Sequence, residues 1–502
     1  MTSTIAPDDL ALYRSARLRR DADFDGRFYF GVRTTGVFCR PSCPAPRALE
    51  ENVAYFATLF EAVEQGFRPC LRCRPDMRSW TRHAHVEGGQ LVAMALDLIQ
   101  RGYLHHHGVD DLAAELLLSA RQLRALFVRF LGVPPVKVGA LQKAVLAKGL
   151  LLDSTFPITD IAFASGFGSV RQFNEVFRKV FGQTPGALRK MRRHQGLEDD
   201  GFVSYALDYD PGFDFGRVLD FLRRRAIRGV EVVTTTQYAR TFRVALLGRA
   251  EVAEGYFVVT DDPARSALAL RIHSAHIACA MEIAARVRRM FDLETRFAEI
   301  QARFAADDLL RPGLEDGAVP RLSVAFDPFE FAVRAILGQQ VSVRFAGELA
   351  ARLAACAAQP TPADYPERLD WFFPDRARLA GLDLSTIGLA RARQAAVHAL
   401  CRALEAGVFS LSPHQPADSF KRDILSVKGI GEWTADYVAM RGLGLVDSFP
   451  VTDLGIVKAL TRERPMTRAE ALRHAERWRP YRAYAALCLW NANAVRAAPA
   501  EP

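Results

Sequence analysis

Asp423-Ile424-Leu425-Ser426-Val427-Lys428-Gly429-Ile430-Gly431-Glu432-Trp433-Thr434-Ala435-Asp436-Tyr437-Val438 is the stretch that decides the fold of this 502-residue chain. An apolar helix end runs into a Gly-Ile-Gly turn, and a new helix is expected from Thr434. Gly429 and Gly431 carry no Cβ, so backbone N–H groups at a helix N-terminus can come close to an anion. Two helices joined by such a hairpin can grip the phosphates of DNA without reading bases. Gly429, Gly431 and Thr434 are therefore the candidate backbone contacts.

Nineteen residues after Thr434, Phe449-Pro450-Val451-Thr452-Asp453 places a carboxylate just before the apolar Leu454-Gly455-Ile456-Val457-Lys458 segment. Alone, such an Asp is most often a helix cap. Its company is more specific. Upstream stands Ala332-Val333-Arg334-Ala335-Ile336-Leu337-Gly338-Gln339-Gln340-Val341-Ser342-Val343, and downstream the run from Trp478-Arg479-Pro480-Tyr481 to Trp490. With Trp433 and Tyr437, these segments resemble the AlkA-type 3-methyladenine DNA glycosylases of the helix-hairpin-helix superfamily. The likeness runs from about residue 203 to 495.

That resemblance implies a catalytic Asp453, which would stabilise the oxocarbenium-like cation formed as an N-glycosidic bond breaks. It implies a flipped-base pocket lined by Gln339, Trp433, Tyr437 and Trp490. An aromatic pocket suits electron-poor alkylated purines through stacking and cation–π attraction. Glu432-Trp433 stands where lyase-type relatives carry a catalytic Lys, so a monofunctional hydrolase is expected. Gln340 stands where the pattern has an apolar wedge, a departure that leaves the wedge assignment open.

Four of the eight cysteines fall into two tight pairs, Cys39/Cys43 and Cys70/Cys73. Two such pairs can converge tetrahedrally on one zinc ion, with Zn–S contacts of roughly 2.3 Å. A purely structural zinc is the commonest reading of an isolated site of this kind. Cys279, Cys356, Cys401 and Cys488 lie apart in apolar segments and are expected in the core. Residues 8–80 are rich in turn signals and show helical period only at Leu59–Gln65, as expected of a small α+β domain organised by its metal.

Between about 87 and 193 the chain turns helical. Val109–Glu115 followed by Ser119 and Ala120–Phe130 parallels Ile158–Phe167 followed by Ser169 and Val170–Phe181. Each is a helix, a turn and a Ser-capped second helix. The pair resembles the all-α double helix-turn-helix of the AraC family. Leu117 sits where Gly is usual, which predicts a widened or strained first turn, while Gly166 suits the second. Arg121, Gln122, Arg124, Val170, Arg171 and Asn174 are the candidate major-groove contacts. Leu123, Phe127, Phe130, Phe173, Phe177 and Phe181 are expected in the core.

With that neighbour, Arg27 to Cys43 and Gly66 to Cys73 resemble the N-terminal domain of Ada-type adaptive-response regulators. The resemblance implies that Cys39 accepts a methyl group from a DNA phosphotriester. Four thiolates on one Zn²⁺ carry net charge −2, so the sulfur stays nucleophilic. Methylation would remove one negative charge and strengthen DNA binding. The Pro-Cys-His-Arg motif of longer Ada proteins does not occur, since Arg402 follows Cys401 and Leu489 follows Cys488.

From Phe202 to Ile272 five short apolar stretches read as strands, with helices at 215–225 and 277–290: an α+β sheet domain. The expected multidomain order is 1–80 zinc methyl-acceptor domain, 85–195 double helix-turn-helix, 202–288 sheet domain, and 289–495 all-α glycosylase domain. The formal charge of +9 favours polyanionic partners. Half of the residues are hydrophobic, yet no apolar run is long enough to cross a bilayer. A soluble, cytoplasmic, monomeric protein with zinc as cofactor is expected. Alkylated and promoter double-stranded DNA are the expected ligands, with RNA polymerase as protein partner. The competing reading joins a transcription factor with a structural zinc to a non-catalytic module that binds damaged DNA.

Overall fold

A computed structural model describes residues 5, 7–76, 89–154, 156–193, 202–210, 212–245, 251–295, 297–413, 415, 417–460 and 466–497. The chain divides into two compact units, one of residues 1–210, 244–255 and 262–285, the other of 211–243, 256–261 and 286–502.

In the first unit, β1 (Tyr29–Val32), β2 (Val37–Cys39), β3 (Val53–Phe56) and β4 (Arg68–Pro69) form a small sheet ordered β3-β1-β2-β4. β1 pairs antiparallel with β2 and β3, while β2 and β4 run parallel. A helix, Pro7–Arg19, precedes them and corrects the expectation of a module helical only at 59–65. Its docking explains why the apolar pattern misses it: a 4%-exposed arginine, Arg17, bonds the Tyr55 hydroxyl, the Ala48 carbonyl and Glu50.

Both helix-turn-helix pairs form, as Val109–Glu115 with Ala120–Leu131 and Ile158–Ala164 with Val170–Phe181. The hydroxyls of Ser119 and Ser169 accept from the backbone N–H groups of Gln122 and Gln172. A 19-residue helix, Pro135–Asp153, lies between the two pairs in sequence. Leu123, Phe127, Phe173, Phe177 and Phe181 are buried as expected. Phe130 is not: it is half-buried at the end of its helix, with the Arg129 guanidinium 5.3 Å from its ring centroid. Leu117 adopts φ +57° and Gly166 φ +78°, so the first turn carries the strain that its sequence implies.

β5 (Val203–Asp208), β6 (Glu231–Val233), β7 (Gln237–Ala245), β8 (Val252–Asp262) and β9 (Ala267–Ser274) form a second sheet, ordered β5-β9-β8-β7-β6. Among the described residues, the other unit is largely helical and holds two apolar cores. Pro328–Leu337, Val343–Ala357, Arg391–Glu405 and the glycine hairpin build the first; Phe304, Phe449, Trp478 and Tyr484 centre the second. Cys279, Cys401 and Cys488 are buried, but Cys356 is only half-buried, with its sulfur 3.4 Å from the Thr386 hydroxyl. No helix among the described residues is long and apolar enough to cross a membrane.

Candidate active site and metal centre

Helix Pro328–Leu337 opens the site. Its N-terminus is fixed by Asp327, whose side chain accepts from the Glu330 N–H at 2.9 Å, and by Pro328 in the first turn. Five of its last six residues are buried apolar side chains, and the chain leaves the helix at Gly338. Gln339 then donates to the Gly429 carbonyl at 3.0 Å and to the Thr434 hydroxyl at 3.1 Å. Gln340 is exposed, with φ +57°.

The hairpin joins Ala417–Ile424 to a helix that starts at Glu432, two residues before the expected Thr434. Gly429 adopts φ +94°, and a Cβ there would lie 2.6 Å from that of Ala396, so conformation and packing both demand glycine. Thr434 is buried beneath Gln339, whereas Gly431 is exposed at the helix start.

The second helix carries Trp433 and Tyr437, whose rings stack at 4.9 Å and 19°. Asp453 faces this pair. Its Oδ1 accepts from Trp490 Nε1 at 2.8 Å and from the N–H groups of Gly455 and Ile456 at 2.8 and 3.2 Å. Its Oδ2 accepts from Trp433 Nε1 at 2.7 Å. The carboxylate is thus both the cap of Leu454–Leu460 and the target of two indoles. A Cβ on Gly455 would sit 3.0 Å from Trp490 Cδ1, so glycine lets the indole come this close.

A cleft of about 920 Å³ opens beside the carboxylate. Gln339, Gln340, Trp433, Thr434, Tyr437 and Asp453 line it, bringing together residues up to 114 apart in sequence. Trp490 stands behind Asp453, 6.5 Å from the Tyr437 ring, and is not among the cleft residues. Arg225, Arg334 and Arg393 also line the cleft and were missed. Burial lowers the Arg225 pKa from its usual value, and the nearby Tyr437 opposes that shift. Only the Arg inside the signature helix, Arg334, had a sequence signal.

In the other unit, parallel pairing of Phe38 with Pro69 brings the two cysteine pairs together, and Cys70 N–H donates to the Phe38 carbonyl at 3.0 Å. The four sulfurs of Cys39, Cys43, Cys70 and Cys73 lie within 4.8 Å of one another, all on buried residues and none in a disulfide. A tetrahedral Zn–S₄ centre with bonds of about 2.3 Å fits that spacing. Contact with the other three sulfurs, Cys43 first, and then burial push the Cys39 thiol up. Holding all four as thiolates therefore needs a cation, and the donor set suits zinc. Asp25 steadies the Cys39–Cys43 loop: it accepts from Ser42 N–H at 3.0 Å and Ser42 Oγ at 2.6 Å, and pairs with Arg40 at 3.2 Å. Sequence inspection gave no sign of that role.

Arg121, Arg124 and Arg171 are exposed near the starts of the second helices, and Val170 and Asn174 are half-buried. Gln122 is exposed, but its Oε1 accepts from Ser119 N–H and Oγ. Asn174 Nδ2 donates back to the Val170 carbonyl at 2.9 Å.

Residues 13–76 match the metal-binding domain of Ada, 112–191 a helix-turn-helix domain, and 204–327 the AlkA N-terminal domain. A Mycobacterium tuberculosis protein, named probable bifunctional transcriptional activator/DNA repair enzyme AlkA, is 35% identical over 488 residues, 96% of each chain. The chain belongs to this bifunctional activator/repair family.

Two other relatives of this activator/repair chain match its parts. DNA-3-methyladenine glycosylase 2 of Escherichia coli is 34% identical over 294 residues, 57% of this chain and 96% of that one. The E. coli bifunctional transcriptional activator/DNA repair enzyme Ada is 35% identical over 192 residues, 38% of this chain and 50% of that one. Among solved structures, the 3-methyladenine DNA-glycosylase from Archaeoglobus fulgidus is similar at 17% identity and TM-score 0.48, covering 59% of this chain and 100% of that one.

Proposed function

We propose that the chain senses and repairs alkylated DNA by two separate chemistries: hydrolytic excision of alkylated bases such as 3-methyladenine, and single-turnover methyl transfer from a DNA phosphotriester to Cys39. The observation that carries the excision reading is the Asp453 carboxylate, held by two indoles and two backbone N–H groups beside an aromatic cleft.

Oδ1 is saturated by three donors, while Oδ2 has one and keeps an acceptor direction free. A negative charge fixed there stabilises the cation developing at C1′ as the base departs with the bonding electrons. Oδ2 can also orient the water that adds to C1′. Tyr437 and Trp433 offer a stacked aromatic wall to the extruded base. With Glu432-Trp433 in place of a catalytic lysine, the product is an abasic site.

For methyl transfer, zinc bound by the four cysteines supplies the charge that keeps them thiolates. Cys39 Sγ then attacks the methyl carbon, an S–C bond forms, and the phosphate oxygen leaves with the C–O electron pair. The lost thiolate charge favours DNA contacts by the helix-turn-helix pair, with Arg121, Arg124 and Arg171 its exposed cations. RNA polymerase is the protein partner we assign to an activator of this family, and we take the chain to work as a monomer.

One experiment tests both halves: incubation with methylated DNA, following methyl-cysteine by mass and free alkylpurine by chromatography. Asp453→Asn is expected to abolish base release and spare methyl uptake. Cys39→Ala is expected to do the reverse. Methyl uptake that persists in Cys39→Ala defeats the Cys39 assignment, whereas wild type that takes up no methyl group or releases no base favours the binding-only alternative for that half.

A further inference from the structure

A second cavity, of about 520 Å³, lies in the same unit as the base cleft and is lined in part by Arg224, Ala318, Ser323, Arg441 and Asn491. Arg441 is its unusual member. It projects from a π-helical turn, Val438–Gly442, that continues the helix bearing Trp433 and Tyr437. It is 6% exposed, yet of its five guanidinium donors one is used, from Nη1 to the Ser323 carbonyl at 3.0 Å. No carboxylate pairs with it among the described residues. The Phe221 ring lies 4.3 Å from the guanidinium carbon, and the cleft residues Tyr437 and Arg225 also act on it electrostatically, Tyr437 favouring its charge and Arg225 opposing it. Burial lowers its pKa to about 10, as expected of a charge whose lost hydration is incompletely replaced.

The cavity's acidic side chains are already engaged. Asp214 and Asp316 pair with Arg217, and Glu315 accepts from Asn491 Nδ2 at 2.7 Å. Asp220 pairs with Arg223. Arg224 is exposed at the wall, where its Nε donates to the Asp220 carbonyl and leaves the rest of the fork available. Buried charges are normally paired, and a guanidinium fork matches an oxyanion bidentately. We propose that this cavity binds an oxyanion of the phosphate class on Arg441, with Arg224 as a second cation. Free phosphate and a phosphomonoester share that chemistry. The proposal does not rest on the reactions assigned above. The site adjoins the base cleft, because Phe221 also carries the guanidinium of cleft residue Arg225, at 3.9 Å.

Titration calorimetry of the full chain with inorganic phosphate, and separately with dAMP, tests this. Wild type is expected to show a saturable event that weakens at least about tenfold in Arg441→Gln. Ala318→Glu, at an exposed position on the cavity wall, is expected to weaken it similarly without removing a buried group. Tighter binding of dAMP assigns the site to a phosphomonoester, and binding of phosphate alone assigns it to the free ion; either supports the site. Absence of saturable binding to wild type overturns the proposal. So does binding unchanged in Ala318→Glu, or in a folded Arg441→Gln.

Discussion

Trp490 Nε1 and Asp453 Oδ1 meet at 2.8 Å across 37 residues of sequence, and Gly455 supplies the space for that approach. The indole N–H meets the same carboxylate oxygen that caps the helix, so this bond fixes the orientation of Asp453. Trp490→Phe keeps most of the ring and deletes the N–H. A hydrogen bond to a charged group is worth about 1.5–3 kcal/mol, which is about 10- to 100-fold in a rate that depends on it. We expect a single-turnover excision rate lowered by that range, with affinity for DNA nearly unchanged. A loss confined to DNA affinity would instead make Trp490 a base contact.

Leu117 is 95% exposed and held at φ +57° in the turn of the first helix-turn-helix. A side chain there contributes little packing but carries the left-handed steric penalty. Leu117→Gly is expected to stabilise the first unit by about 1 kcal/mol, read as a higher denaturant midpoint, because relief of that strain outweighs the added unfolded-state entropy. An unchanged or lower midpoint would show that the turn is not strained.

Legibility followed the kind of signal each element uses. The glycine hairpin, the cysteine pairs and the Ser-capped helices are local patterns; the Ser-capped helices start where the sequence places them, and the second helix of the hairpin starts two residues early, at Glu432. The helix Pro7–Arg19 escaped because a buried arginine, not an apolar stripe, docks it. The neighbours of Asp453 mark it only as a candidate, and the two indole bonds to it are not legible in the sequence, since they join residues 20 and 37 positions away. Arg225 lies more than 100 residues upstream of the other cleft residues, and only folding brings it to them.

Asp25 lies 14 residues before Cys39, is 3% exposed, and ties the Cys39–Cys43 loop through Ser42 and Arg40. Removing a carboxylate that orients a metal loop typically costs 10- to 100-fold in metal affinity. Asp25→Ala is expected to lose zinc to a chelator at correspondingly lower concentration, and with it methyl uptake. Base release should survive, because the cleft draws on neither Asp25 nor the cysteines. Chelation of wild type is expected to give the same split between the two activities.

Asp292 and Tyr484 form a buried pair, with the Tyr484 hydroxyl 3.0 to 3.1 Å from both carboxylate oxygens. Burial raises the Asp292 pKa above the usual carboxylate value, against the opposing pull of Arg321 and of hydrogen bonds from Thr295, Leu322 and Tyr484. A carboxyl group that binds its proton more tightly when folded favours the fold most at low pH. That contribution is complete below the unfolded-state pKa and is lost as pH rises through the folded one. Asp292→Asn keeps the shape, and its amide oxygen can still accept from the Leu322 N–H, which Asp292 Oδ2 meets at 2.9 Å. The hydroxyls of Thr295 and Tyr484 can turn to accept from its NH₂ group. The variant is therefore expected to lose less stability than wild type between acidic and neutral pH, measured by denaturant unfolding across that range. Parallel pH profiles for the two proteins would show that Asp292 does not titrate on folding.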